Sequence, residues 1–131
     1  MEKVKYFRIY ADESGASHFE DLETELTFVD FAPPTAPLAR GSFLPAAQMQ
    51  WLAAPTGWPS DVPHPPPNRP VFVVTQGELE LTTSGGEARR FSTGAEVLLE
   101  DTSGKRHRSE VASDVDVLAL VISVAESETV S

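Results

Sequence analysis

From residue 71 to residue 124, short apolar or alternating runs recur, each cut off by two to four small or polar residues. No segment sustains apolar residues at the spacing of a helix face, so the pattern is that of strands and turns. Residues 71–74 lead through Gln76-Gly77 into a strand at 78–83. Ser84-Gly85-Gly86-Glu87 is a tight hairpin turn, because glycine accepts positive φ, and 88–91 returns. Ser92-Thr93-Gly94, Asp101-Thr102-Ser103-Gly104 and Ser113-Asp114 turn again and separate strands at 96–99, 106–111 and 115–124.

The first half is less regular. Residues 4–10 form a first strand, Asp12-Glu13-Ser14-Gly15 a turn, 26–31 a second strand, and 48–53, centred on Trp51, a third. Pro33-Pro34-Thr35-Ala36-Pro37 is an extended linker whose prolines cannot donate to a ladder. "PTGWPSDVPHPPPNRP", residues 55–70, holds seven prolines and is expected to be a stiff loop inside the domain. Turn signals roughly every 8–12 residues point to an all-β sandwich or small barrel. The expected organisation is one domain over 1–131, with a barrel core at about 45–124, N-terminal strands within 3–31 and a polar tail at 126–131.

Composition then removes whole classes of function. The chain has no cysteine, which excludes disulfides, thiolate metal sites and cysteine nucleophiles. Ten lysines and arginines stand against twenty acids, a formal charge of −10. Such a surface repels nucleic acid and anionic lipid, so neither is expected as a partner. Met1-Glu2-Lys3-Val4-Lys5 has no apolar leader core, and the longest apolar run, 117–122, is too short to span a bilayer, so a cytoplasmic protein is expected. Lys105, Arg106 and Arg108 surround His107. With Arg89 and Arg90 they make either a local anion site or ordinary solvated charge.

"PVFVVTQGELELTTSGGEARRFSTGAEVLLEDTSGKRHRS" resembles a small single-domain bacterial cupin. Gly77 matches the glycine that closes the first cupin motif, Gly94 the glycine that opens the second, and His107 the histidine that ends it. The resemblance covers roughly residues 58–122, and "SHFED" and "DFAPP" upstream extend it to a bacterial subfamily. It implies a single jelly-roll-like β-barrel with an N-terminal strand extension. It also implies a homodimer formed by strand exchange. The first motif is eroded: His64 lies in its zone, but Pro66 stands where a second histidine is expected and Pro70 where a glutamate is. The second motif is two residues longer than usual, through "EDTSGKR".

The resemblance makes His64 and His107 the candidate catalytic pair and the candidate ligands of a divalent transition metal. Whether a metal is the cofactor stays open. Imidazoles with a carboxylate suit such ions, and the third ligand would come from Glu78, Glu80, Glu100 or His18. Alternation turns Glu78 and Glu80 outward, because Leu79 and Leu81 claim the interior. Without metal, the two histidines can exchange protons with a substrate, since an imidazole titrates near working pH, and Glu100 or Asp101 can orient one of them. Trp51, Trp58 and Phe72 are candidate cavity walls, and Arg69 a candidate grip on a carboxylate or carbonyl. The leading expectation is a lyase, isomerase or cyclase acting on a small oxygenated molecule, in a setting such as natural-product biosynthesis. A non-catalytic small-molecule-binding module is the alternative, and a metal-dependent dioxygenase a third.

Overall fold

Period-two alternation builds two layers of sheet. The computed structural model describes residues 3–41, 45–58, 69–101, 105 and 107–124. Their strands are β1 (Lys3–Ala11), β2 (Ser17–Glu25), β3 (Thr27–Val29), β4 (Leu38–Arg40), β5 (Ala46–Ala54), β6 (Pro70–Gln76), β7 (Leu79–Thr82), β8 (Ala88–Phe91), β9 (Glu96–Glu100), β10 (Arg108–Val111) and β11 (Val117–Val124). No helix occurs among the described residues, so the all-β expectation holds. It follows that none of them forms a helix long and apolar enough to cross a membrane.

The larger sheet runs β2-β1-β9-β6-β11-β5, and a smaller one runs β10-β7-β8. All neighbours are antiparallel except β1 and β9. Strands β3 and β4 make a separate ribbon. Ile9, Val74, Val97, Leu99 and Val117 of the large sheet meet Leu79, Leu81 and Phe91 of the small one in a single buried core. Full burial of each such side chain stabilises the fold by roughly 1.5–3 kcal/mol. Glu78 and Glu80, on either side of Leu79, turn outward as alternation predicts, and Arg90 on β8 pairs with both.

The chain passes from one sheet to the other at Gly77. Its φ is +78°, and a Cβ there would stand 2.9 Å from the carbonyl oxygen of Asp116. Only glycine accepts both constraints. Among the described residues the two sheets share no ladder, so these do not form the expected closed barrel. What joins the start of β2 to the β7–β8 turn is a side-chain clasp. The Ser17 N–H donates to Ser84 Oγ at 2.8 Å, and the Ser84 N–H donates to Ser17 Oγ at 2.7 Å.

The second strand differs from expectation. Residues 26–31 contribute only the short β3, while Ser17–Glu25 pairs with β1 along its whole length. Four carboxylates in "SHFEDLETE" mask this strand in the sequence. They are tolerated because β1 supplies cations: Lys3 lies near Glu23 and Glu25, and Arg8 lies 2.9 Å from Glu20. Phe19, on the inner side, packs against Phe91 at 6.1 Å between ring centroids.

Candidate functional site

Side chains of β5, β6, β9 and β11 that face inward do not all meet the small sheet. Near the β5 edge they wall a cavity of about 300 Å³, whose lining includes Leu52, Trp58, Phe72, Leu99, Val117 and Ala119. A smaller space of about 30 Å³ lies deeper, between Val74, Leu81, Val97 and His107. The two share Phe72, Leu79, Leu99 and Ser109 as walls, so they adjoin, an outer and an inner space that together are called the chamber.

The inner part carries the chemistry. His107 and Asp101 are both fully buried, at 0% exposure. His107 Nδ1 lies 2.7 Å from Asp101 Oδ2. Asp101 follows directly on β9, and His107 immediately precedes β10, so the loop between two strands on opposite layers brings the pair together. A carboxylate acceptor selects the tautomer with the proton on Nδ1, leaving Nε2 as the ring nitrogen with a lone pair. The second oxygen of Asp101, Oδ1, has no hydrogen-bond donor among the described residues. The loop is tied down from outside, where the Lys105 N–H donates to the Gly15 carbonyl at 2.8 Å.

One residue earlier the same strand does something different. Glu100 points to the other face of the large sheet, where it accepts from Arg8 Nη1 at 3.2 Å and from Arg69 Nε at 2.9 Å, with Arg69 Nη2 also in contact. Arg69 holds this position with φ at +48°, a left-handed conformation uncommon for a side-chain-bearing residue. Consecutive positions of a strand face opposite ways, so of the two acids only Asp101 turns toward His107.

Of the expected site residues, the structure brings His107, Trp58 and Phe72 to one chamber. Trp51 projects from the opposite face of β5 and is 75% exposed, away from the walls. Arg69 is committed to Glu100 and does not line the chamber. His64 lies outside the described residues, as does Pro66. Asp101 was legible only as a neighbour able to orient an imidazole. Ser109, which lines both parts of the chamber, was not singled out, although its place two residues after His107 on a strand puts it on the same face.

The other candidate metal ligands are engaged elsewhere. Glu78 and Glu80 hold Arg90, Glu100 holds two arginines, and His18 Nε2 lies 2.6 Å from Asp12 Oδ2 in the β1–β2 turn. No three histidines or acids converge among the described residues, so these alone do not make a cage for a divalent ion. Nor do the described cations gather at an anion site: Arg89 pairs with Asp21 and Glu87 and Arg90 with Glu78 and Glu80, while Lys105 and Arg108 are exposed; Arg106 lies outside the described residues.

Fold and site together define an all-β, two-sheet protein with an apolar chamber ending in a buried histidine–carboxylate pair. No family model matches the chain, and no curated protein is similar enough in sequence to be matched with it.

Proposed function

We propose that this is a cupin-type small-molecule enzyme that moves a proton by means of His107, with a lyase, isomerase or cyclase outcome. One observation carries the reading: a fully buried imidazole, held at Nδ1 by Asp101 at 2.7 Å, forms part of the wall of a ligand-sized chamber. In this reading Nε2 takes a proton from carbon next to a carbonyl, and the Asp101 carboxylate stabilises the imidazolium that results. Return of the proton to a different atom gives isomerisation, and loss of a β-substituent gives elimination. A positioned base of this kind contributes about 10²–10⁴-fold.

The test is proton exchange. Untagged protein in deuterated buffer is incubated with small ketones, and loss of the α-proton signal is followed by NMR. Wild-type protein is expected to accelerate exchange and His107→Gln to lose that acceleration. Exchange that persists in His107→Gln sinks the proposal. Ligand binding without any exchange leaves the binding-module reading, which the mostly apolar walls support.

The reading includes a homodimer. Edge strand β5 contains no ionisable residue in a chain of net charge −10, and it exposes Met49 and Trp51. A second copy presents the same neutral strand, so pairing β5 with β5 sets no like charges opposite each other across the ladder. Light scattering on wild type and Trp51→Glu tests this: the variant is expected to fall to monomer mass.

A further inference from the structure

The chain carries thirty lysines, arginines and acids, yet among the described residues none of them lines either part of the chamber. Its polar wall groups are few and sit at the two ends: Gln50 on β5 at the outer end, and Ser109 with His107 at the inner. Everything between is aliphatic or aromatic, and Ala54 and Ala119 keep the space open by being small. An anionic ligand moved into such a place loses its hydration and finds no cation among the described wall residues, a cost far above that of burying a neutral carbonyl or hydroxyl that one hydrogen bond can satisfy. The buried carboxylate of Asp101 makes this worse for an anion.

From this distribution we infer that the chamber selects uncharged ligands over anions: compact, mainly hydrocarbon molecules with a single carbonyl or hydroxyl directed at His107 and Ser109. Carboxylates and phosphates are rejected by desolvation, not by shape. The inference rests on the proposed reading in one respect, that the chamber is the ligand site. It does not require His107 to be a base.

A matched pair of probes tests it. Cyclohexyl methyl ketone and cyclohexanecarboxylate have nearly the same shape and differ in charge, and neither absorbs where tryptophan emits. Trp58 lines the chamber and Trp51 does not, so a Trp51→Phe variant reports the chamber alone. At neutral pH the ketone is expected to shift Trp58 emission saturably, with affinity at least about 100-fold above that of the carboxylate. Ala119→Leu, which fills the space, is expected to abolish the shift. Should that variant not fold, as judged by circular dichroism, Leu52→Arg serves instead. Leu52 is 45% exposed and can host a long side chain, and a cation there is expected to narrow the preference by about tenfold or more.

Carboxylate affinity equal to or above that of the ketone overturns the inference. So does the absence of saturable ketone binding, or binding that neither variant alters. The two proposals fail separately. Charge selection without proton exchange removes the catalytic reading alone, whereas proton exchange on ketones together with tight carboxylate binding removes this one alone.

Discussion

Two histidine–carboxylate pairs occur at almost the same distance, and only one makes a site. Asp12 and His18 approach to 2.6 Å in the β1–β2 turn, with side chains 36% and 47% exposed. Asp101 and His107 approach to 2.7 Å at zero exposure beside a chamber. In the first pair the carboxylate is a turn device. Its Oδ1 accepts from the Ser14 N–H, the Ser14 hydroxyl and the Ala16 N–H, closing an Asx-type turn. The Ser14 hydroxyl, followed by His18, holds the Asp12 carboxyl well below the usual carboxylate range. The second pair is shut off from solvent, and its ring belongs to a cavity wall. Contact distance therefore says little about role; what surrounds the pair decides it.

The largest expected effect that separates the pairs is on stability. Asp101→Ala leaves the buried Nδ1–H of His107 without its acceptor and is expected to cost about 1–3 kcal/mol in urea unfolding. Asp12→Ala, in solvent, is expected to move the unfolding midpoint far less. Equal effects would erase the distinction drawn here.

Asp101→Asn sharpens it. The amide oxygen can still accept from Nδ1, so the stability loss is expected to shrink to about 1 kcal/mol or less. The charge that stabilises the imidazolium is gone, so catalysed exchange is expected to fall by roughly 10²-fold. Retained exchange in this variant would make the carboxylate a packing group.

Acid distinguishes the pairs in another way. The Asp12 carboxyl is depressed in the folded chain, so its contribution is fully present above the ordinary carboxylate value of 3.8 and is lost as pH falls through the lower folded value. Amide-exchange protection at Ser14 and Ala16 is expected to weaken over that window in wild type and to lose its pH dependence in Asp12→Asn. The smallest effect is expected from Glu100→Gln, on the outward side of the same strand end. Its arginine partners are part-exposed, so about 0.5–1 kcal/mol of stability and little exchange activity should be lost.

The legibility of these features differed for physical reasons. The turns after residue 76 were plain because glycine and small polar residues punctuate them, and Gly77, Gly86 and Gly94 do adopt positive φ. Strand β2 was hidden because its stability comes from cations on β1, which no local pattern displays. His107 was found through its position in a resemblance, and its partner Asp101 only as one of two adjacent acids. Which acid turns inward is settled by strand parity. Trp51 was assigned to the chamber because a large aromatic is usually inside. On the edge strand both faces carry apolar side chains, so alternation did not choose, and Gln50 and Leu52 take the inner side instead.

The bond from the Lys105 amide to the Gly15 carbonyl ties distant parts of the polypeptide together. The hairpin ahead of residue 26 contributes no wall to the cavity, yet it buttresses the segment on which the imidazole rides. Shortening that hairpin, or hardening its tip, should be felt first as looseness of a ring that it never touches.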